Sequence, residues 1–489
     1  YAYQNGAWSE SVMLLSRAFA LRNAMGLSDV QAAELLRLQG DAHYRQGNLP
    51  EARHCLAQAA ELLGWSLPAK NSVFLRQLTR QIGHRLRPFT PPRRSQDRDW
   101  LLETHRISML EAEIAFLSNE TMTMLVHGVG ALNQAESAGI SPELAKASAN
   151  MCYAIGNIGQ HVPASIYKRQ ARRVASKVGD PSVEDFALRR TSLYDIGLGQ
   201  WDDAQAALER AMNLAETIGD LQSREESLDF LASLLYYRGE FARSRELFAQ
   251  VQRSALRTNS LLHQSWGLLG QGQNALRIGA LLDASGLLKN AINVMEDNRV
   301  NDVVTLIQAY GLLGVVELYQ GNVDAANHLA QSAVEWIGAS EATGFALLEG
   351  YAGAVEVFLT VLEMLPADQT SERARLIEQV THVLGQLQAL AKTIPIASPR
   401  ALLCQGWLAQ VEGDPAMSRA RLGESVRQAS KLTMPFEQGL AHYHQGRWLS
   451  LDDPQRAQHL AQASAIFTRL GAAHHLADTN VELDGGRLL

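Results

Sequence analysis

Five histidines near the C-terminal end could bind a metal ion or transfer a proton, since imidazole does both. They are His442, His444, His459, His474 and His475. Histidines that are two residues apart on a helix point away from each other, and no carboxylate or thiol follows at the spacing of a metal ligand. We therefore predict no metal site and no cofactor for this chain.

The three cysteines offer little nucleophilic chemistry. Cys55, Cys152 and Cys404 are far apart and form no Cys-x-x-Cys pair, which argues against disulfides or a zinc knuckle and favours a reducing compartment. His161 follows Cys152 by nine residues, but Cys152 falls at a repeat position where small residues pack between helices and a thiol is inert. With no Ser-His-Asp arrangement and no GxxxxGKS or GxxxxGKT phosphate loop, we predict no catalytic residue.

The composition is that of an ordinary folded protein with an acidic balance. The 489 residues are 46% hydrophobic and 19% charged, which provides enough apolar surface for a core and excludes general disorder. A formal net charge of −7 disfavours a chain that mainly coats nucleic acid or an anionic membrane. No uninterrupted apolar segment reaches the ~18 residues of a membrane helix, and no secretory signal is visible. We expect a cytoplasmic protein without a membrane partner.

A regular period organises the chain. Turn-type glycines follow one another at Gly159, Gly199, Gly239, Gly279 and Gly321, with spacings of 40, 40, 40 and 42 residues. In most units a small residue stands seven positions before the turn, and apolar residues stand 2, 5, 9 and 12 positions after it. Intervals of 3, 4 and 3 place these apolar residues on one face of a helix. Each unit is therefore predicted to be two helices joined by a short turn, with the small residue at their crossing.

Stacking is the expected fate of such pairs, because a single helix pair cannot bury both of its faces whereas identical stacked pairs can. The sequence predicts an all-α fold, a right-handed α-solenoid of about 10–11 helix pairs. The frame resembles the tetratricopeptide repeat (TPR) in its longer variant of about 40 residues. We predict the first pairs over residues 1–64, a main array over 101–345, and degenerate repeats with a cap over 346–489. The turns near Pro366 and Asp453 depart from the pattern.

Residues 65–100 form a basic insertion, because Gly47 and Asn119 are 72 residues apart, one period plus 32. Apolar residues of this segment, including Leu78 and Ile82, fall on one side of a predicted helix. The arginines named as its candidate binding residues are Arg76, Arg80, Arg85, Arg87, Arg93 and Arg94. They could bind nucleotide phosphates, nucleic acid or an acidic neighbouring domain, and a solvated amphipathic helix that covers a break in the stack explains them equally well.

Several segments resemble one particular kind of repeat protein. They are Leu63-Gly64-Trp65-Ser66-Leu67-Pro68, the run from Leu75 to Pro88, Ser141-Pro142-Glu143-Leu144-Ala145, the run from Tyr236 to Phe241 and the run from Trp266 to Gln271. They are similar to the C-terminal repeat region of large bacterial signalling proteins, in which a class III adenylate/guanylate cyclase or a kinase domain precedes a signal-transduction ATPase module. The resemblance implies a sensory or autoregulatory arm that receives an inducer or partner and releases the ATPase. Because the chain begins with Tyr1, we expect a piece of such a protein.

Residues that face the concave groove are the predicted partner-binding set. In repeats of this type the first helix of each pair lines the groove, and aromatic, arginine and acidic side chains there supply much binding energy per residue. By register the set is Arg37, Asp41, Tyr44, Arg45, Arg189, Glu226, Asp229, Tyr236, Tyr237, Trp266, Gln273, Arg277, Gln308, Tyr319, Arg400 and Trp407. The other interpretation is that these residues pack between helices or are solvated.

The predicted function is non-catalytic. We expect a protein-protein interaction and signal-sensing domain that regulates a larger signalling protein through its groove. The partner would be a protein or peptide segment, an intramolecular ATPase or effector domain, or a small-molecule inducer, and the charge makes nucleic acid a poor candidate. Two alternatives stay open: the chain is the C-terminal part of a cyclase or kinase, so that the parent is an enzyme, or it is a self-standing oligomeric scaffold.

Overall fold

The computed structural model describes residues 8–486 except 47, 66–70, 87–94, 119, 299, 301 and 340–343. Within these residues it contains 23 α-helices, two 3-10 helices (Phe345–Leu347 and Pro395–Ala397) and no β-strand. The α-helices are α1 (Trp8–Ala20), α2 (Asp29–Arg45), α3 (Leu49–Leu62), α4 (Asn71–Leu86), α5 (Ser95–Leu117), α6 (Thr121–Ala138), α7 (Pro142–Asn157), α8 (His161–Val178), α9 (Pro181–Leu198), α10 (Trp201–Ile218), α11 (Leu221–Tyr237), α12 (Phe241–Thr258), α13 (Leu261–Arg277), α14 (Leu281–Asp297), α15 (Val303–Tyr319), α16 (Val323–Gly338), α17 (Leu348–Met364), α18 (Thr370–Thr393), α19 (Ser398–Val411), α20 (Pro415–Lys431), α21 (Pro435–Arg447), α22 (Pro454–Leu470) and α23 (Ala473–Leu483).

Most of these helices follow one another as helix-turn-helix pairs. Over the described residues the pairs are α2/α3, α5/α6, α7/α8, α9/α10, α11/α12, α13/α14, α15/α16, α17/α18, α19/α20 and α21/α22, which makes ten, with α1, α4 and α23 outside them. The predicted all-α, TPR-like fold of consecutive helix pairs is thereby confirmed.

The small residues predicted at the helix crossings lie there. A Cβ atom added to Gly314 would be 3.3 Å from the carbonyl oxygen of Ala326, five residues past the turn. Across the turn at Gly239, Ser244 Oγ donates a hydrogen bond to the carbonyl of Ala232 at 2.8 Å. Gly239 has a φ of 81°, which L side chains rarely adopt, so glycine suits the turn. The predicted register is confirmed for the central repeats.

The last complete pair departs from that register, as its sequence indicated. A Cβ atom added to Gly446 would meet Leu460 Cγ at 2.6 Å, whereas Gln458 and Gln462, at the positions expected from the period, are exposed. Helix α22 begins after Asp453, whose carboxylate accepts a hydrogen bond from the second helical N–H at 2.9 Å. The helices still cross at a glycine, but the second helix is displaced along the sequence.

The chain forms two compact units. The first comprises residues 1–151 and 166–187, and the second residues 152–165 and 188–489. In the first unit, α2, α3 and α5 contribute Leu36, Leu56, Ile107 and Ile114 to one buried cluster. In the second, one continuous apolar cluster extends from α9 to the start of α23. The four-part division made from the sequence stays a prediction.

Helix α4 of the insertion belongs to the first unit and packs on α6 through polar side chains. Gln81 Nε2 donates to Asn133 Oδ1 at 2.9 Å and to Glu136 Oε2 at 2.8 Å. Leu78 and Ile82 are 37% and 60% exposed. The face that anchors α4 is therefore the polar one, and part of its apolar side remains open.

Helices α15 and α17 of the second unit cross at unusually close range. A Cβ atom added to Gly353 would lie 2.6 Å from the carbonyl oxygen of Gly311, and one added to Gly350 would lie 2.6 Å from that of Ile307. Real Cβ atoms do not approach so closely, so the backbones meet here only because Gly350 and Gly353 carry no Cβ atom. The crossing brings the start of α17 against the first helices of the neighbouring pairs.

Residues Phe345–Met364 are long and apolar enough to cross a membrane by length and composition. In the fold, however, 78% of this stretch is buried, and α17 packs against α15, α16 and α18. No second helix meets the same criterion among the described residues. The pattern is typical of a central core helix.

Candidate ligand-binding site

A cavity of about 260 Å³ lies in the second unit between α11, α13, the start of α15 and the 3-10 turn at Phe345–Leu347. Five residues of the predicted partner-binding set line it: Asp229, Tyr237, Trp266, Gln273 and Gln308. The two on α11 and the two on α13 are separated by about two helical turns, which places each pair on one side of its helix. The sequence thus identified a set of residues that the fold brings together.

Aromatic side chains that the sequence reasoning missed complete the walls. Tyr153, Phe230 and Phe345 also line the cavity, together with Ser233. Tyr153 and Ser233 stand six residues before their turns, the same register as Gln273, so the repeat itself could have identified them. Phe345 comes from the 3-10 turn, for which the period gives no position.

Asp229 is the one predicted acid on the cavity wall. Its side chain is partly exposed. No described residue donates a hydrogen bond to it or forms an ion pair with it. Burial, followed by the carboxyl groups of Glu226 and Asp302, raises the pKa of Asp229 to about 8. Near neutral pH the group is therefore largely protonated when the cavity is empty.

Asp302 has a structural role beside the cavity. It caps α15, because Oδ1 accepts a hydrogen bond from the backbone N–H of Thr305 at 3.3 Å and Oδ2 accepts one from the Thr305 hydroxyl at 2.6 Å. Trp266 Nε1 also donates to Oδ2 at 2.8 Å, and the ring of His263 lies edge-on to the indole with centroids 5.0 Å apart. These contacts fix the plane of the Trp266 ring in the cavity wall.

Glu226, one turn before Asp229, is neutralised by a partner on α9. Its carboxylate pairs with the Arg189 guanidinium, which also donates to Ser223 Oγ at 3.1 Å. Neither Glu226 nor Arg189 lines the cavity. These two predicted binding residues instead link the first helices of successive pairs.

Tyr236, Arg277 and Arg400 do not line an open groove, and the prediction that they do is wrong. They are 3%, 2% and 2% exposed. Helices α17, α19 and α21 cover this part of the inner surface. Glu349 of α17 pairs with Arg277 of α13, and Glu437 of α21 pairs with Arg400 of α19. We call these five residues the ionic core.

Both arginines of the ionic core are hydrogen-bonded to its other members. Arg277 Nε donates to Tyr236 Oη at 2.7 Å, and its Nη2 donates to Glu349 Oε2. Arg400 holds Glu437 in a bidentate pair at 2.7 and 2.8 Å. Burial opposes the charge on Arg277, but Tyr236 and Glu349 outweigh it and raise its pKa. This geometry is that of a buried structural network.

Tyr319 and Trp407 also lie in closed surroundings rather than an open groove. Tyr319 Oη donates to Glu356 Oε1 at 2.5 Å, and Glu356 in turn accepts from Arg400 at 3.4 Å. Trp407 is 5% exposed, and its Nε1 donates to Glu363 Oε2 at 3.2 Å. Their polar atoms are engaged within the second unit, and the predicted groove position is wrong for both.

Tyr237 connects the cavity to the aromatic residues around the ionic core. Its ring is 5.3 Å from that of Tyr236 and stacks on Trp201 at 6.4 Å between centroids. Its hydroxyl donates to the carbonyl of Phe345 at 3.5 Å. Tyr237 is 7% exposed, so most of its ring is packed within the second unit.

The four predicted binding residues on α2 belong to the first unit. Arg37 Nε donates to Glu103 Oε1 at 2.6 Å, and Arg45 Nε lies 3.5 Å from Asp41 Oδ2. Asp41 is only 8% exposed, and burial raises the pKa of Tyr44. They form local ion pairs and packing contacts and do not line the cavity of the second unit.

The described arginines of the basic insertion are exposed. Arg76 and Arg80 lie on the solvent side of α4, and Arg80 Nη2 donates to Ser137 Oγ at 2.8 Å. The side chain of Arg85, and Arg87, Arg93 and Arg94 as a whole, lie outside the described residues. Which ligand the insertion binds stays a prediction.

The five C-terminal histidines lie against other rings, and three of them, His442, His444 and His475, are buried. His442 Nδ1 lies 3.0 Å from His459 Nδ1, and burial, followed by His459, lowers the pKa of His442 to about 4. Burial likewise lowers the pKa of His444 and His475 well below the ordinary range. Among the described residues no three histidine, cysteine or carboxylate side chains come together as a metal site.

A wider cleft of about 840 Å³ is open to solvent elsewhere in the second unit. Its charged lining mixes both signs, with Asp202 and Asp203 against Arg238, Lys431 and Arg469. It contains none of the predicted partner-binding residues and is less enclosed than the Asp229 cavity. It is therefore the weaker candidate for a specific ligand.

Comparison with known proteins identifies the fold. No protein-family model and no curated protein sequence matches the chain. A Rap protein complexed with Competence and Sporulation Factor has 10% sequence identity and a TM-score of 0.50, covering 78% of this chain and 97% of its own. At that identity the likeness shows the fold alone, and it supports the all-helical, TPR-like architecture.

Two further solved structures show weaker likeness. The apo form of RapI is 13% identical with a TM-score of 0.42, covering 58% of this chain and 99% of its own. The human IFIT1 dimer with m7Gppp-AAAA is 15% identical with a TM-score of 0.44, covering 84% of this chain and 86% of its own.

Proposed function

We propose that the chain is a non-catalytic binding and sensing domain, which holds a side chain of a peptide or of a partner-protein segment, or a small inducer, in the Asp229 cavity. The observation that carries the proposal is the convergence of Asp229, Tyr237, Trp266, Gln273 and Gln308 on one cavity from three separate helices. Aromatic walls with a few polar groups are typical of ligand sites. The solved Rap protein supports the proposal at the level of fold, since a helix stack of this kind is there complexed with a second molecule.

The proposal extends to the protein that the domain regulates. Two of the segments that resemble bacterial signalling proteins, Tyr236–Phe241 and Trp266–Gln271, carry the cavity residues Tyr237 and Trp266. Occupancy of the cavity would then control a cytoplasmic partner with an ATPase module and a cyclase or kinase domain. In this arrangement catalysis lies in the other domains, and the present chain contributes recognition.

A displayed library of random short peptides, panned against the whole 489-residue chain, tests the binding function. Ser233→Trp fills the cavity from its wall, and Ser182→Trp adds the same ring at an exposed position as a matched control. Peptides enriched on the original chain should bind Ser182→Trp equally and Ser233→Trp at least tenfold more weakly. Circular dichroism verifies that both variants fold. Enrichment that survives Ser233→Trp, or no enrichment at all, would overturn the proposed binding function for peptides.

A further inference from the structure

We infer that the Asp229 cavity recognises an organic cation, an ammonium or guanidinium group, and this inference rests on the proposed ligand-binding function. Asp229 lines the cavity as a carboxyl group that no described residue satisfies by a hydrogen bond or an ion pair. A carboxyl group taken out of bulk water without a partner costs folding free energy. A cationic ligand supplies the partner that the protein itself does not.

The two carboxylates that act on Asp229 both have partners of their own. On its own helix Glu226 is paired with Arg189 of α9, and at the start of α15 the carboxylate of Asp302 is satisfied by Thr305 and Trp266. On α13, His263 is hydrogen-bonded to Glu225 at 2.9 Å.

A further charged side chain near the cavity wall is an arginine that lies over an aromatic ring. Arg190 lies over Tyr153, 4.5 Å from the ring centroid. After burial, the groups that raise the pKa of Asp229 are Glu226 and Asp302, and both are carboxylates. A cation beside Asp229 favours the ionised form of its carboxyl group, whereas an anion there disfavours it.

The walls suit a cation that also carries apolar surface. Tyr153, Phe230, Tyr237, Trp266 and Phe345 line the cavity, and the indole is held in place by its hydrogen bond to Asp302. A cation within about 6 Å of such faces gains roughly 0.5–2 kcal/mol in other proteins. Aromatic walls around one carboxylate are thus complementary to an ammonium or guanidinium head on an aliphatic stem.

The size of the cavity limits what enters it. At about 260 Å³ it is smaller than most pockets for drug-sized ligands, which begin at about 300 Å³. One cationic side chain or one small amine fits this volume, whereas an entire peptide does not. The two sources, a lysine or arginine side chain of a bound segment and a free small amine, share the same chemistry at Asp229.

Calorimetric titration of the whole chain tests the inference. The probes are n-butylguanidinium, n-butylammonium and the neutral n-pentanol, and the capped peptides acetyl-Ala-Arg-Ala-amide and acetyl-Ala-Gln-Ala-amide separate a peptide source from a free amine. Cations should bind at least tenfold more tightly than their neutral counterparts. Asp229→Asn should abolish that preference. The control Asp202→Asn, a carboxylate that is 98% exposed, should keep it.

Proton release distinguishes recognition by Asp229 from adventitious binding to another acid. Since the pKa of Asp229 is about 8, binding of a cation at pH 7 should release about nine-tenths of a proton, measured in buffers of different ionisation enthalpy. Affinity should rise at least tenfold between pH 6 and pH 9. Equal affinity for n-pentanol, or cation binding unchanged in Asp229→Asn, would overturn the inference. If displayed peptides without lysine or arginine bind in the cavity, the binding function stands and only the cation inference fails.

Discussion

The ionic core and the Asp229 cavity lie in the same unit and contain the same kinds of side chain, yet their acidic residues differ. The acids of the ionic core are paired with arginines, whereas Asp229 is not. Glu349 and Glu437 are 2% and 4% exposed, and each is bonded to an arginine. The side chain of Asp229 is more exposed than these two, and it has no such partner among the described residues. The first region is satisfied by the fold alone, and the second is satisfied only when something enters it.

This difference separates a structural from a functional use of charge. A buried pair with good geometry fixes how helices pack, even where it adds little net stability. An isolated carboxyl group with a raised pKa in a cavity is destabilising by itself, and groups of this kind cluster at functional sites. Buried charge alone is therefore a poor indicator of a binding site. Whether the charge has a partner within the fold is more informative.

Loss of one partner in the ionic core should have the largest effect. Arg277→Met removes the guanidinium that Glu349 and Tyr236 share and leaves the carboxylate buried without its cation. We expect a loss of about 3–5 kcal/mol in the free energy of unfolding. Denaturant titration followed by circular dichroism measures it.

The double variant Arg277→Met with Glu349→Met is the control for that prediction. Replacing both partners by apolar groups removes the uncompensated charge, so most of the lost stability should return. If the single variant costs less than about 1 kcal/mol, Glu349 reaches solvent and the contrast with Asp229 disappears.

The repeat fold and much of the cavity could be predicted because both follow from the period. Helix crossings such as Gly314 against Ala326 repeat in every central unit, and Asp229, Trp266 and Gln308 sit on first helices in the expected positions. Contacts between neighbouring repeats join residues at a nearly constant sequence separation. Periodicity is therefore sufficient to find them.

A further periodic signal is the sequence separation between arginines and the glutamates that they pair with. Arg106 pairs with Glu143, Arg189 with Glu226, and Arg400 with Glu437, each at a separation of 37 residues. This sequence separation equals one period of 40 residues minus about one helical turn. Each pair therefore joins the first helices of successive helix pairs. An arginine followed at that interval by a glutamate is better interpreted as a link between repeats than as a ligand-binding residue.

The closure of the ionic core could not be predicted in this way. Arg277 meets Glu349 across 72 residues, and Tyr319 meets His475 across 156. These contacts join helices that are not sequence neighbours, and a repeat pattern says nothing about their separation. For that reason the sequence placed Tyr236 and Arg400 in a groove that α17, α19 and α21 cover.

The α15–α17 crossing is a second way to test the comparison, because α17 and the turn before it supply residues to both regions, Glu349 to the ionic core and Phe345 to the cavity. Gly353→Ala places a methyl group where the carbonyl of Gly311 lies 2.6 Å away, and backbone cannot yield as a side chain can. We expect a loss of about 1–3 kcal/mol in the free energy of unfolding. Affinity for any cavity ligand should fall in parallel.

A matched substitution in an open part of the stack serves as the control. No atom lies within 4 Å of a Cβ added to Gly286 in α14, so Gly286→Ala should stabilise the chain by about 0.5–1 kcal/mol through helix propensity. Equal effects of the two alanines would mean that α17 is not held by close backbone contact.

The prediction most specific to Asp229 is a dependence of stability on pH. The folded pKa of about 8 lies above the unfolded value of about 3.9, so the folded chain keeps a proton that the unfolded chain loses. The contribution of this group to stability therefore falls as pH rises from about 4 to about 8 and is constant above that range. Asp229→Asn lacks the slope, so it should be more stable than the original chain at pH 9, with little difference at pH 4.

Free energies of unfolding at pH 4, 7 and 9 for the original chain, Asp229→Asn and the exposed control Asp202→Asn measure this directly. The control changes a carboxylate that is 98% exposed and does not line the cavity, so a pH-dependent difference confined to Asp229→Asn assigns the effect to the cavity. A saturating cationic ligand should reverse the order at pH 9, because it binds the ionised carboxyl group and not the amide. If Asp229→Asn instead destabilises the chain more as pH rises, Asp229 is paired within the fold, and the distinction between the cavity and the ionic core is lost.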